Sequence, residues 1–265
     1  MVYGTPPAGL DVRLSIDLNL QAKADQLLQD NSGAIVLINA ETGEILVMAS
    51  HPTYDPNTME AEGDSLSQDE SSPLLNRATQ GLYPVGSALR PLLQAKFGAT
   101  QPSNIDLRTF YENLGFFQTP AINMPVSSEN NNTSIQYLKV SPLQMSIAAA
   151  TLSYKGITPS PRIATAINTP EQGWVVLPAL SQPIEVVQPA AANEAALSFI
   201  EEGKPYWSHI GQASEDETNV TWLLAGTLPD WRGTPLVLIV TLEDLNAPLA
   251  KSIGENLLNA AGLSQ

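Results

Sequence analysis

Cysteine is absent from the 265 residues, and histidine occurs only twice, at His51 and His209. The first absence excludes disulfides, thiolate metal sites and a cysteine nucleophile; the second argues against a histidine-rich metal centre. Chemistry without a cofactor, or no chemistry at all, is what remains, so neither a cofactor nor a metal is expected. Basic residues are also scarce: 12 Lys and Arg against 27 Asp and Glu leave a formal charge of -15. A chain so charged repels phosphate backbones and anionic lipid headgroups, which excludes a general nucleic-acid or membrane-surface binder and points to neutral, cationic or apolar partners. No run approaches the ~18 apolar residues that span a bilayer, and Met1 to Gly9 lacks the basic and apolar regions of a signal peptide. The chain as it stands is expected to be soluble, with any anchor or leader lying outside it. With 43% hydrophobic and 15% charged residues it can bury one sizeable core or two modest ones.

Helix and strand signals follow one another along the chain. Asp17 is placed to cap a helix whose apolar positions Leu18, Ala22, Ala24, Leu27 and Leu28 recur at helical spacing. Gly33 to Asn39 reads as a buried strand, Glu41-Thr42-Gly43 as a tight turn and Glu44 to Ser50 as the returning strand. From His51 to Ser72 the sequence turns polar and acidic, which predicts a surface excursion. Helices are expected from Ser87 to about Phe97, with Pro91 tolerated in the first turn, and from Pro142 to Tyr154, stopped by Gly156. Six prolines between Thr158 and Pro189 suit extended segments and exclude long helices. A helix over Ala191 to Glu202, strands over Tyr206 to Ile210, Thr221 to Leu228 and Leu236 to Leu242, and a closing helix from Pro248 complete the order. An acidic loop, Ser214 to Glu217, joins two of these strands. First and last elements can share one five-stranded sheet. With no repeat and no clean linker, the chain reads as a single α+β domain, 1-265, with sheet from 33-50 and 206-242 and a helical lobe over about 73-156.

Several segments, in order, resemble the transpeptidase domain of the penicillin-binding proteins, the acyl-serine enzymes that cross-link peptidoglycan. They are Asp11 to Asp17 with Leu20-Gln21, Gly33 to Val36 with Thr42 to Leu46, Tyr54-Asp55-Pro56-Asn57, Asn76 to Pro84 with Gly86-Ser87, Leu114-Gly115-Phe116, and Ser141 to Met145. The resemblance implies a five-stranded antiparallel sheet flanked by helices, as in β-lactamases, here with a reduced helical lobe. It also implies an extracytoplasmic location and a membrane anchor outside this chain.

Three motifs carry that family's chemistry. A serine and a lysine three positions apart share a helix face, so the amine can take the serine proton. Here the stretch reads Ser87-Ala88-Leu89-Arg90. Arg90 stands at the lysine position and, protonated up to a pKa above ~12, is no base. Losing a positioned base costs roughly 100- to 10,000-fold in rate, so Ser87 is expected to be a vestigial nucleophile. The serine-x-asparagine motif belongs between the nucleophile helix and Leu114-Gly115-Phe116, but the nineteen residues Pro91 to Thr109 do not contain it. Ser128-Glu129-Asn130 fits by letter but follows Phe116, in a polar loop, and reads as coincidence. The lysine-threonine-glycine motif corresponds to His209-Ile210-Gly211: glycine is kept, while a ring and an alkyl group replace the cation and the hydroxyl.

Each residue also has a plainer reading. Ser87 serves as a helix cap. Arg90 pairs with one of the many acids, rather than binding a carboxylate. His209 is a solvated side chain, rather than a base towards Ser87. Trp207, Trp222 and Trp231 pack the strand region rather than stack on a ligand. The acidic stretches Glu60 to Glu70 and Ser214 to Asp216 are solvated, or meet a basic partner. The function expected from the resemblance is a pseudoenzyme: a transpeptidase-like scaffold or binding module in peptidoglycan and cell-envelope assembly. Its alternatives are a weakly active serine D,D-transpeptidase or carboxypeptidase using Ser87, and a sensor that binds without turnover. The partners implied are cell-wall peptide or β-lactam and envelope-assembly proteins.

Overall fold

The computed structural model describes residues 9–130, 132–215 and 218–263. Met1 to Ala8, and Asp216 and Glu217 of the acidic loop, lie outside the described residues.

A sheet of five antiparallel strands holds the molecule together. Two come from the N-terminal part, β2 (Gly33–Asn39) and β3 (Ile45–His51), and three from the C-terminal part, β10 (Tyr206–Glu215), β11 (Thr218–Thr227) and β12 (Leu236–Leu242). Their order is β10-β11-β12-β2-β3, so the seam between chain halves is the β12–β2 ladder, with Ile239 opposite Val36. Every residue of β2 and β12 is buried, because these central strands are covered on both faces; this explains sequences that are apolar but for Asn39 and Thr241. Side chains alternate between two cores, as the period of a strand requires. Val36, Ile38, Val237 and Ile239 join one cluster; Ile35, Leu37, Leu238 and Val240 join the other.

The second cluster is roofed by α1 (Leu18–Leu28) and α7 (Ala247–Ala260). Asp17 caps α1 as expected, accepting from the amides of Asn19 and Leu20 at 2.9 and 3.1 Å. From α1, Gln21 reaches across to β3: the Met48 amide donates to Oε1 at 2.9 Å, and Nε2 donates to the Met48 carbonyl at 3.2 Å. On the first cluster lie α3 (Arg90–Phe97), α5 (Pro142–Ser153) and α6 (Pro189–Ser198). All twelve residues of α5 are buried. Its capping-box partner Gln144 extends Nε2 to the carbonyls of Gly115, Phe116 and Gln118, fastening that loop to the helix. A separate helix, α4 (Asn104–Asn113), is closed by a Ser103–Asp106 capping box.

The prolines of 158–189 give extended structure, as expected. Short pairs form: β4 (Tyr83–Pro84) with β5 (Lys139–Val140), and β6 (Ile157–Thr158) with β9 (Ile184–Glu185). A small second sheet joins β1 (Val12–Leu14), β7 (Ala164–Thr169) and β8 (Gly173–Val176).

Four expectations are corrected. The polar stretch 51–72 is not all loop but contains α2 (Met59–Gln68), a helix none of whose residues is buried, so it lacks the apolar periodicity that would announce it. The helix expected from Ser87 begins instead as a tight 3-10 turn, Gly86–Leu89. β10 and β11 pair as far as Glu215 and Thr218, so Ser214 and Glu215 belong to a strand rather than to an acidic loop. α6 starts at Pro189, which suits a first turn because proline has no amide to leave unbonded, and it ends before Gly203.

Candidate functional site

Ser87 is brought to the edge of the main sheet by the segment that precedes it. The Trp222 indole donates to the Pro84 carbonyl at 2.9 Å, and the Tyr83 ring packs edge-on against Trp222 at 6.0 Å. The Tyr83 hydroxyl donates to Glu243 Oε1 at 2.7 Å. Arg77, only 4% exposed, donates to the same oxygen at 2.9 Å and to the carbonyls of Ser71 and Ser72. This Arg77–Glu243–Tyr83 cluster ties 71–84 to the end of β12. Sequence reasoning did not find it; Arg77 and Tyr83 stand within the quoted string 76–84, but nothing singled out Glu243.

The chain then turns at Gly86, whose φ of +47° favours glycine, and enters the 3-10 turn against β10. Ala88 and Leu89 are buried, while Ser87 and Arg90 share the exposed side, as the three-residue spacing predicts. Gly211 on β10 allows the close approach. A Cβ there would lie 2.3 Å from the Ala88 nitrogen, 2.4 Å from its Cα and 2.8 Å from the Ser87 carbonyl carbon. Retained glycine thus has a physical reason independent of any catalytic part.

The Ser87 hydroxyl is not a helix cap. It accepts from the Gln212 amide at 3.0 Å and faces the Gln212 carbonyl at 3.4 Å. His209 is not a solvated side chain either. Its ring stands edge-on to Phe199 at 5.2 Å, and its Nε2 lies 2.9 Å from the Ser87 carbonyl oxygen. A carbonyl only accepts, so Nε2 carries the proton and the donor is spent on the main chain. Burial holds the ring's pKa below that of ordinary histidine; the bond to Ser87 opposes this, and the charge of Arg90 adds to it. Ile210 turns to the opposite face and packs on the α1/α7 cluster.

Arg90 is exposed; its amide donates to the Ser87 carbonyl, while its guanidinium, among the described residues, forms no ion pair or hydrogen bond, contrary to the expected pairing with an acid. It lines a groove of about 390 Å³ with Ser87, Leu93, Gln94, Phe97 and Pro102. Ser128 bonds Thr119 at 3.2 Å and Glu129 bonds Thr133 at 2.7 Å, so this triplet serves its own loop. Trp207 and Trp222 are fully buried, with Trp207 donating to Ser153 at 2.9 Å; Trp231 is outside this packing, 36% exposed. Among the described residues no group of three or more His, Asp or Glu could hold a metal ion, and no helix is long and apolar enough to cross a membrane.

Comparison with known proteins agrees with this architecture. The family model described as the penicillin binding protein transpeptidase domain matches residues 33–96. The peptidoglycan D,D-transpeptidase MrdA of Acinetobacter baumannii is 38% identical over 120 residues, 43% of this chain and 18% of that protein. The match thus spans about a fifth of the length of the curated relatives, 18% and 19% for the first two. Among solved structures, the D,D-transpeptidase domain of a peptidoglycan glycosyltransferase from Eggerthella lenta superimposes with a TM-score of 0.78 at 16% identity, covering 96% of this chain and 83% of that one. Penicillin-binding protein A of M. tuberculosis, solved as an imipenem acyl-enzyme complex, gives 0.78 at 19% identity, covering 96% and 80%. The expected five-stranded antiparallel architecture is therefore present. The chain is therefore similar in sequence to the penicillin binding protein transpeptidase domain over 33–96, and similar to such domains in fold over nearly its whole length.

Proposed function

We propose that this domain has lost serine acyl transfer and acts as a scaffold or binding module in peptidoglycan and cell-envelope assembly, on the extracytoplasmic side. We read 1-265 as one domain whose reduced helical lobe, about 73-156, flanks the sheet. Ser87, Arg90, His209 and Gly211 are then the remnants of the acyl-transfer site.

One observation carries the reading: the partners of the Ser87 hydroxyl are main-chain groups of Gln212, and no basic nitrogen is hydrogen-bonded to it among the described residues. Attack on an acyl carbonyl requires the hydroxyl proton to leave, and a nearby base supplies typically ~100- to 10,000-fold of the rate. The Arg90 guanidinium stays protonated at any working pH. The His209 nitrogen nearest the turn already donates to the Ser87 carbonyl. Glycine at 211 and the groove persist because they serve packing and binding, neither of which needs a base.

A second reading has one observation in its favour. Ser87 is exposed, with the Gln212 amide aimed at its oxygen from 3.0 Å, and main-chain donors beside a nucleophile are what acyl transfer uses to stabilise developing charge. By analogy with penicillin-binding protein A, solved as an acyl-enzyme, an active form would carry a β-lactam on Ser87. The test is intact-mass measurement after incubation with a labelled penicillin. No adduct is expected. A stoichiometric adduct that disappears in Ser87→Ala overturns the non-catalytic reading. An adduct gained by Arg90→Lys with His209→Lys assigns the loss to these two positions; its absence assigns it to the short 91–109 segment.

A further inference from the structure

The central strands of the main sheet are covered on both faces; those of the small sheet β1-β7-β8 are not. Cross-strand pairing sets Val12, Ile167 and Val175 side by side on one face, and none of the three belongs to either hydrophobic cluster. The other face carries Arg13, Ala166, Trp174 and Val176. The Arg13 guanidinium crosses β7 to lie 4.5 Å from the centre of the Trp174 ring, while Val176 is 73% exposed. Among the described residues neither Arg13 nor Arg162 pairs with a carboxylate. Arg162 donates instead to the Leu177 carbonyl at 3.2 Å, and Asp11, on the face of Arg13, accepts from Asn168 at 3.4 Å. The outer side of β8 is open, since the order β1-β7-β8 gives it one neighbour among the described residues. The Leu177 amide donates to the Thr165 carbonyl at 2.9 Å. Bonded and non-bonded pairs alternate along an antiparallel ladder, so Trp174 and Val176 turn their amides and carbonyls away from β7.

We propose that β8 is a docking edge that takes, as a fourth strand of the small sheet, an extended segment of another protein with apolar side chains on the Val175 face and a carboxylate beside Arg13 on the other. This surface is separate from Ser87, and the proposal holds whether or not that serine is acylated.

Three features select this partner. A row of outward main-chain donors and acceptors is matched by another extended backbone. Side chains of an added strand alternate between the faces, so one set continues the apolar row Val12-Ile167-Val175 and the other lies beside Trp174 and Val176, where the Arg13 guanidinium presents paired donors that match a carboxylate. The net charge of -15 does not forbid one acid there, because exposed charges beyond roughly 8 Å are largely screened at physiological salt. At the end of β8, Ile122, Ile163, Leu177 and Leu180 line an apolar cavity of about 80 Å³, a seat for an aliphatic side chain of the incoming segment. A second copy of this chain fits less well, since it brings like net charges together.

The test is an NMR and calorimetric titration of the protein with acetyl-Ser-Val-Ile-Glu-Leu-Ser-amide, in which valine and glutamate fall on the Arg13 face and isoleucine and leucine on the Val175 face. Saturable binding is expected, with amide shifts confined to 10–14 and 164–180. N-methylation of the valine and glutamate amides, which point at β8, should weaken binding about tenfold or more, whereas methylating isoleucine and leucine should spare it. Glutamine in place of the peptide's glutamate should cost about threefold in wild type and nothing in Arg13→Gln, as for an exposed ion pair. Val176→Pro removes an outward amide at an edge position that tolerates proline, and it should lose about tenfold in affinity at an unchanged melting temperature; the methylated peptides decide the matter if that variant does not fold. No saturable binding at millimolar concentration, equal effects of the two methylations, or an acid preference that survives Arg13→Gln each overturns the proposal. Sedimentation of the free protein should show a monomer, and a dimer dissolved by Val176→Pro would assign the edge to a second copy and overturn it too. Labelled penicillin reports on Ser87 alone, so an adduct with peptide binding defeats only the non-catalytic reading, and no adduct with no peptide binding defeats only this one.

Discussion

Replacing Gly211 by alanine probes how tightly the serine turn is pressed against the sheet. The added Cβ would sit 2.3 Å from one backbone atom and 2.4 Å from the next, both in Ala88, and neither can move aside as a flexible side chain would. Either β10 or the Gly86–Leu89 turn must withdraw. Overpacking of this kind typically costs ~1–3 kcal/mol. Withdrawal also stretches the Gln212–Ser87 and His209–Ser87 bonds; each is worth about 0.5–1.5 kcal/mol, at the lower end here because water replaces part of it at an exposed site. A total of about 3 kcal/mol corresponds to a fall in melting temperature of roughly 6–12 °C for a domain of this size. Thermal unfolding followed by circular dichroism reads the fall, and amide chemical shifts of Ser87 and Gln212 report the displacement. The control is Gly63→Ala in α2, where a Cβ has nothing within 4 Å; it should leave stability unchanged or raise it by up to ~1 kcal/mol. If Gly211→Ala melts within about a degree of wild type with the Ser87 and Gln212 resonances in place, the close-approach argument is wrong.

Three further outcomes are expected. Arg77→Met should cost about 3 kcal/mol in urea unfolding, because removing one partner of a largely buried pair strands the Glu243 carboxylate; a change below ~0.5 kcal/mol would show the cluster to be dispensable. The pKa of Tyr83 is raised far above that of a free phenol, first by burial and then by the charge of Glu243 and the hydrogen bond to it. Its contribution is therefore complete below the unfolded value of about 10 and is lost as pH rises from there towards the folded value, so Tyr83→Phe should flatten the alkaline limb of a stability–pH curve. An unaltered limb contradicts this. His209 is shifted the other way, mainly by burial, so its contribution is present above the ordinary histidine value of about 6.5 and declines as pH falls through the folded pKa. Arg90→Gln removes one depressing charge and should raise the ring's pKa in an NMR titration; a fall or no change would place the guanidinium away from the ring.

The sheet was largely legible because its signals are local or periodic. Nearly continuous apolar runs at 33–38 and 236–240, the Thr42-Gly43 turn and the Asp17 cap each declare themselves within a few residues. What escaped depends on distant partners or on no burial at all. The pairing of Val12 with Ile167 brings together strands more than 150 residues apart, and α2 rests on no core. The ends of β10 and β11 carry polar residues that look like loop until each finds the other. At the site, residue types were readable but their contacts were not. The ring of His209 is partly covered and bonded because Phe199 and the Ser87 carbonyl arrive from elsewhere in the chain. Arg90 stays unpaired although acids are plentiful, since none of them lines its groove.

The Gln21 amide occupies both main-chain groups of Met48 on β3, so one side chain stands in for the strand that would otherwise lie there. At the opposite border of the sheet, the Ser208 amide is taken by the Phe199 carbonyl, and Gln212 by Ser87. Both flanks are thereby denied to a passing polypeptide seeking to zip on as a sixth ribbon, the usual route to sticky, templated assembly. Gln21→Ala reopens one flank without disturbing the fold's interior, and self-association of that variant at high concentration is where the loss would first be felt.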